Sequence, residues 1–290
     1  MAAAGTQTRQ RSQGARSLWS ILRASPRTAI GAVVLLIIVF AAVFADAISP
    51  YPPNQQNLRA RLQPPSAEHL LGTDHFGRDV FSRIIYGGRV SLQVGFIAVG
   101  IALAVGGLMG LVAAFYGRWV DSAVSFVVDV LLALPGFLLA LAIVAALGPS
   151  LVNVMIAVGI AYIPQFARIT RSAVLTVIEM DYVTAATAAG SRDMRIMFKH
   201  VVPNSLSPVI VQVTLALAGA ILSAAGLSFL GLGAQPPTAE WGSMLNSARP
   251  YIRDAQWAVT YPGIAIVVTV LALNMVGDGL RDALDPRRRD

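Results

Sequence analysis

Residues Thr184–Asn204 read TAATAAGSRDMRIMFKHVVPN. Tyr182, Ala185, Ala186 and Ala189 recur at helical spacing. Gly190 then breaks the run, and Ser191 stands where a second helix would take its N-cap, with Asp193 in the favourable first turn. In that second helix Met194, Met197, Phe198 and Val201 share one face, and Arg192, Arg195 and Lys199 another. Pro203 is expected to end it and turn the chain back. The stretch therefore predicts two short helices about a glycine bend, the second amphipathic and basic. Two readings suit such a helix. It could lie on lipid headgroups with its apolar face down, or it could set that face into a partner's groove.

What surrounds the stretch is apolar. Hydrophobic residues make up 56% of the chain and charged residues 13%, against about a quarter charged in soluble domains. Mean hydropathy is +0.65. These values define an all-α polytopic membrane protein. Six segments are long and apolar enough to cross a bilayer: about 28–48, 91–116, 120–147, 151–174, 208–231 and 259–280. The Arg-rich start, about residues 1–27, reads as a tail before an uncleaved first span. Residues 28–86 hold that span and an outer segment, residues 87–280 the other five spans with the elbow at about 182–203, and residues 281–290 a second tail. Arg and Lys concentrate in both tails and between Arg168 and Lys199, which predicts cytoplasmic termini and a cytoplasmic elbow. Arg78, Arg83 and Arg89 run against that bias. The net charge of +7 thus follows from membrane topology and requires no nucleic acid. With no cysteine, disulfides and thiolate metal sites are excluded.

Few polar groups lie within the spans. Asp129 is well inside the third, where a carboxylate must face protein or water. A cation site, a structural hydrogen bond and a position on a solvated pathway are the alternatives. Pro135 should kink the same span. Asn274 and Asp278 fall near the end of the sixth, as caps or interface contacts. The spans are rich in Gly and Ala, as close helix packing in lipid requires.

The elbow resembles the cytoplasmic EAA loop of ABC importer permeases, in which Glu-Ala-Ala, a Gly and a closing Ile-x-Leu-Pro stand at fixed spacings. Ala185, Ala186, Gly190 and Pro203 match; Thr184, His200 and Val202 replace the Glu, Ile and Leu. LGTDHFGRDVFSRIIYGGRVSL (Leu71–Leu92), GLSFLGLGAQPPTAEWGSML (Gly226–Leu245) and DGLRDALDP (Asp278–Pro286) are similar to motifs of the C-type permeases of dipeptide, oligopeptide and nickel importers.

The resemblance implies a type I importer fold in the bacterial cytoplasmic (inner) membrane. It implies a coupling helix carrying Ala185, Ala186, Gly190, Ser191, Arg192, Met194, Met197, Phe198 and Pro203 against an ATPase. Its implied partners are a homologous B-type permease chain, two ATP-binding subunits (or one fused), an external substrate-binding lipoprotein and membrane lipid. ATP and Mg belong to the ATPases. The outer motifs make Arg78, Arg83 and Trp241 candidate contacts for the binding protein. Short peptides are the expected cargo, with nickel or another small solute as the alternative and a stand-alone channel or secondary transporter as the contrasting class. From the residues themselves, Lys199 is the sole lysine and follows Phe198, so the chain has no Walker A loop and no catalytic site of that kind. The histidines, His69, His75 and His200, are dispersed, and no metal site is expected.

Overall fold

A computed structural model describes residues 25–284. The tail calls at residues 1–24 and 285–290 lie outside the described residues. Every regular element among the described residues is helical. Helix α1 spans Pro26–Val43, with Ser25 as its N-cap, and a one-turn α2 spans Ala45–Ile48. Helix α3 runs from Val80 to Tyr116, α4 from Arg118 to Leu132, α5 from Gly136 to Leu147 and α6 from Leu151 to Ile178. The elbow holds α7, Asp181–Ala188, and α8, Asp193–Ile196. Then come α9, Val202–Phe229, a short α10, Trp241–Ala248, and α11, Trp257–Leu284.

Five helical runs are long and apolar enough to cross a membrane, and α4 with α5, bent by 83° between them, makes up to a sixth if the pair is one broken span. The bend falls at Pro135. Its missing N–H and extended ψ of 131° release the chain from the helix, as the sequence predicts. Helix α3 has 37 residues, about 55 Å at the usual rise, so it extends beyond a bilayer core of about 30 Å. It starts well before the predicted Ser91, and a domain boundary at 86/87 would fall inside it. Asp79 caps α3, its carboxylate accepting from the Ser82 N–H at 2.8 Å.

The core lies where α3, α6 and α9 meet, around Val94, Val158, Phe166, Leu217 and Leu227. Helices α3 and α6 touch backbone to backbone. A Cβ on Gly106 would meet the Ile163 carbonyl and lie 2.9 Å from Phe166 Cβ; one on Gly110 would meet the Ala167 carbonyl and lie 2.9 Å from the Arg171 nitrogen. These glycines, four apart, let two helices approach in a solvent that gives no hydrophobic push. Helix α1 packs antiparallel to α11, with Gly31 against Met275 and Thr28 against Gly279. Both described ends of the chain therefore lie at the end of the bundle that carries the elbow.

At the opposite end, residues 49–79 and 232–256 form a platform. Asp74 accepts from Arg78 Nε at 2.6 Å and from the Phe76 and Arg78 backbone N–H groups. Arg83 Nη1 donates to the Pro53 carbonyl at 2.8 Å, and its Nε stands 3.8 Å from Asp74. His69 Nδ1 lies 2.9 Å from Asp79. Trp241 Nε1 donates to the Ile84 carbonyl and Trp257 Nε1 to the Thr73 carbonyl. Glu240 caps α10 through the Gly242 and Ser243 N–H groups and receives the Ser91 hydroxyl from α3. Burial pushes its carboxyl above the ordinary carboxylate range.

The platform explains why three arginines defy the charge bias. Inside it Arg78 pairs with Asp74 and Arg83 is held by the Pro53 carbonyl beside the same carboxylate, and Arg89 donates to the Ala42 carbonyl and to Asp46. The platform also corrects the expectation for Arg78, Arg83 and Trp241. Their exposures are 4%, 4% and 2%, so they hold the platform together and offer a binding protein no surface.

Candidate functional site

The elbow begins with a C-terminal signal in α7. Gly190, at φ +76°, donates to the Thr187 carbonyl at 2.9 Å, and Ser191 N–H donates to the Ala186 carbonyl at 3.1 Å. This is the Schellman arrangement, which needs a left-handed residue and so favours glycine. No atom lies within 4 Å of a Cβ added there, so the requirement is conformational and not steric. Of α7 only Val183 is buried; Ala185 is exposed and Ala186 half-buried, leaving a flat face of small residues.

Three expectations for the second helix change. Ser191 does not cap it: Arg192 holds the N-cap position, without a side-chain bond. The apolar face divides. Met197 and Val201 are buried with Ile196 against Leu111 and Ala114 of α3 and Val174 and Val177 of α6, whereas Met194 and Phe198 are 59% and 58% exposed. Pro203 does not end the helix. A turn of π-helix over Met197–Val201, closed by the Val202 N–H on the Met197 carbonyl, joins α8 to α9 as one continuous rod. The wider turn accommodates a ring that would clash with a regular α-helical carbonyl, and Pro203 falls in the first turn of α9, where proline is tolerated.

The elbow is thus fixed on one side and bare on the other. Its buried residues join it to α3 and α6, and the π turn joins it to α9. Met194 and Phe198 stand one turn apart on the bare side, with Tyr182 of α7 also exposed. Tyr182 and His200 approach to 6.3 Å between ring centroids, holding the two arms together.

Polar groups inside the bundle gather elsewhere. Asp129 of α4 accepts from Arg168 Nη2 of α6 at 2.9 Å. Nearer the elbow, Asp121 receives both Nε and Nη2 of Arg171, at 2.6 and 2.7 Å. One turn farther from it, Gln212 Nε2 of α9 donates to Gln165 Oε1 at 3.1 Å. A cavity of about 220 Å³ opens there, lined by Phe137, Tyr162, Gln165 and Ser223 among others. Asn274 is half-buried and Asp278 exposed on α11, and the side chains of both lack a hydrogen-bond partner among the described residues. The sequence reading singled out Asp129 and missed Arg168. Opposite charges in two predicted spans were the available signal.

A bundle of long apolar helices, with an elbow fused to an inner rod and anchored beneath two others, is the architecture of a transporter's membrane subunit. Residues 106–290 match the family described as binding-protein-dependent transport system inner membrane component, and residues 12–65 match the N-terminal TM domain of oligopeptide transport permease C. The chain belongs to the first of these families and is a multi-pass inner-membrane protein. It is 49% identical over 274 residues to the dipeptide transport system permease protein DppC of Alkalihalophilus pseudofirmus, covering 94% of this chain and 90% of that one. It is 50% identical to the di/tripeptide transport system permease protein DppC of Pseudomonas aeruginosa, covering 90% and 88%. Among solved structures, a chain of the MetNI methionine ABC transporter in an inward-facing conformation shares the fold, at TM-score 0.57 and 19% identity, over 70% of this chain and 96% of that one.

Proposed function

We propose that this chain is one of two permease subunits of an ATP-driven importer of short peptides. The carrying observation is the elbow: Met194 and Phe198 are bare while Met197, on the same short helix, is locked into the bundle. An apolar pair on a rod continuous with α9 suits a groove on a partner, and the rod moves when the groove moves. The partners are two ATP-binding subunits, or one fused, which hold ATP and Mg and hydrolyse the nucleotide. The elbow and both termini face the cytoplasm. A homologous second permease completes the pathway, and an external lipoprotein delivers cargo to the platform's exposed residues. Peptide cargo is supported by relatives named as dipeptide and di/tripeptide permeases, at about half identity over most of the chain. Among the described residues no group of three or more His, Cys, Asp or Glu could hold a metal ion, so nothing specific favours nickel.

The test is uptake of a radiolabelled dipeptide by proteoliposomes holding the complete transporter. ATP-dependent accumulation is expected, with loss of substrate-stimulated ATPase in Phe198→Ala. Accumulation of nickel and not dipeptide would overturn the cargo, and full coupling in Phe198→Ala the lever.

A further inference from the structure

We propose that Arg168 and Asp129 form a station inside the pathway that takes the charged ends of a translocating peptide, Arg168 receiving the carboxylate and Asp129 the ammonium. The proposal rests on the peptide-importer reading above. Its footing is an anomaly of exposure. The two side chains are 61% and 65% exposed, yet Arg168 stands on a helix long and apolar enough to cross the membrane and Asp129 on one arm of the bent, apolar α4–α5 pair. Charge facing hydrocarbon there costs about 2.5–3.5 kcal/mol per residue on insertion scales, so such groups face protein or water.

They are not isolated. Gln165 and Arg168 lie one turn apart on α6, and Tyr162 one turn before Gln165. With Gln212 and Ser223 of α9 they line one face of the bundle, beside the 220 Å³ cavity at the Pro135 bend. By contrast, α1 and the middle of α11 expose large apolar residues: Leu36, Ile37 and Phe40 on α1, Val267 and Leu271 on α11. One face is therefore built for lipid and another for water or polar cargo.

The neighbouring ion pair shows why Arg168 is the reactive one. Arg171 and Asp121 are saturated by two short bonds. Arg168 gives Asp129 a single bond from one Nη, leaving the other edge of the guanidinium and the second carboxylate oxygen uncommitted. A guanidinium fork matches a carboxylate. A short peptide carries one free carboxylate and one free ammonium, so the pair can open and exchange partners without stranding either charge.

The native chain lacks cysteine, so Gln165→Cys, Arg168→Cys and, on the lipid-exposed face, Leu271→Cys can each be placed singly in the complete, otherwise cysteine-free transporter in proteoliposomes. The probe is a charged, membrane-impermeant methanethiosulfonate reagent. Positions 165 and 168 should react, position 165, where Arg168 is intact, should be protected by saturating dialanine with binding protein, and position 271 should not react. In parallel, Arg168→Gln should lower dipeptide carried per ATP about tenfold, the size of one lost charge-assisted bond, and Arg168→Lys should restore part of it. No reaction at 165 and 168 would overturn the proposal, placing the stripe against the second permease or lipid. Reaction without protection, or unchanged yield in Arg168→Gln, would overturn the station while leaving the importer reading intact. If the unaltered transporter carries no dipeptide, the function itself fails, whatever the labelling shows.

Discussion

The two ends of the bundle use the same residue types in opposite ways. At the platform, Arg78, Arg83 and Trp241 are inside, with Arg83 and Trp241 locked on backbone carbonyls. At the elbow, arginine and large apolar side chains are both outside, with Met194 and Phe198 beside Arg192 and Arg195. A segment stabilised by its own buried pairs is built to keep one shape. A segment that leaves its apolar residues bare is built to be completed by another surface. The chain is therefore closed on itself at the platform and unfinished at the elbow.

The sharpest way to break this contrast is at Asp74. Asp74→Ala would leave Arg78 buried without its carboxylate and remove the nearest one from Arg83. Losing one member of a buried pair costs about 3–5 kcal/mol. We expect Asp74→Ala to lower the thermal midpoint of the purified protein severely or prevent its accumulation. A midpoint within a degree or two of the parent would show that the platform does not depend on its interior charges.

Next in size is the base of the elbow. A valine at Gly110 would drive its side chain into the Ala167 carbonyl and the Arg171 nitrogen, separating the two helices that hold Met197. Overpacking of this kind costs about 1–3 kcal/mol. Gly110→Val should lower both stability and coupling. Lost coupling with unchanged stability would mean that the contact transmits motion without holding the bundle together.

The elbow's bare face gives the opposite pattern. Met194→Ala with Phe198→Ala removes only exposed atoms, so the isolated chain's thermal midpoint should stay within what about 0.5 kcal/mol allows. ATPase association should weaken by at least tenfold, since central apolar anchors are worth about 2 kcal/mol. Binding can be read by co-purification across a dilution series. Equal retention of the ATPase would show that the partner does not use this face.

Much of this design was legible in the sequence because it rests on local rules. Hydropathy marks the five long apolar helices and the bent α4–α5 pair, and glycine after a run of alanines marks the Schellman end of α7. What escaped was set by tertiary partners. The start of α3 is rich in Arg and Tyr, which hydropathy assigns to water until Asp46, Asp74 and Pro53 are seen to receive them. Pro203 reads as a stop because a regular α-helix cannot take it, and the π turn that admits it has no sequence marker. The division of Met194 from Met197 follows from where α3 and α6 end, which no pattern within the elbow contains.

The smallest expected effect separates conformation from contact at Gly190. Its φ of +76° lies in the left-handed region, and no atom stands within 4 Å of a Cβ placed there. Alanine would thus meet no clash and would pay only the backbone penalty, about 1–2 kcal/mol. Asparagine tolerates that region better and should recover part of the loss. Because the Schellman bonds join the arm bearing Tyr182 to the one bearing Phe198, the penalty should appear as weaker substrate-stimulated ATPase with the platform's stability unaltered. The order glycine, asparagine, alanine in coupling would tie the residue to its dihedral angle. Equal defects in both variants would instead point to a partner surface pressed against the open space beside Gly190, and the elbow's bare face would then reach past Phe198 to include the bend itself.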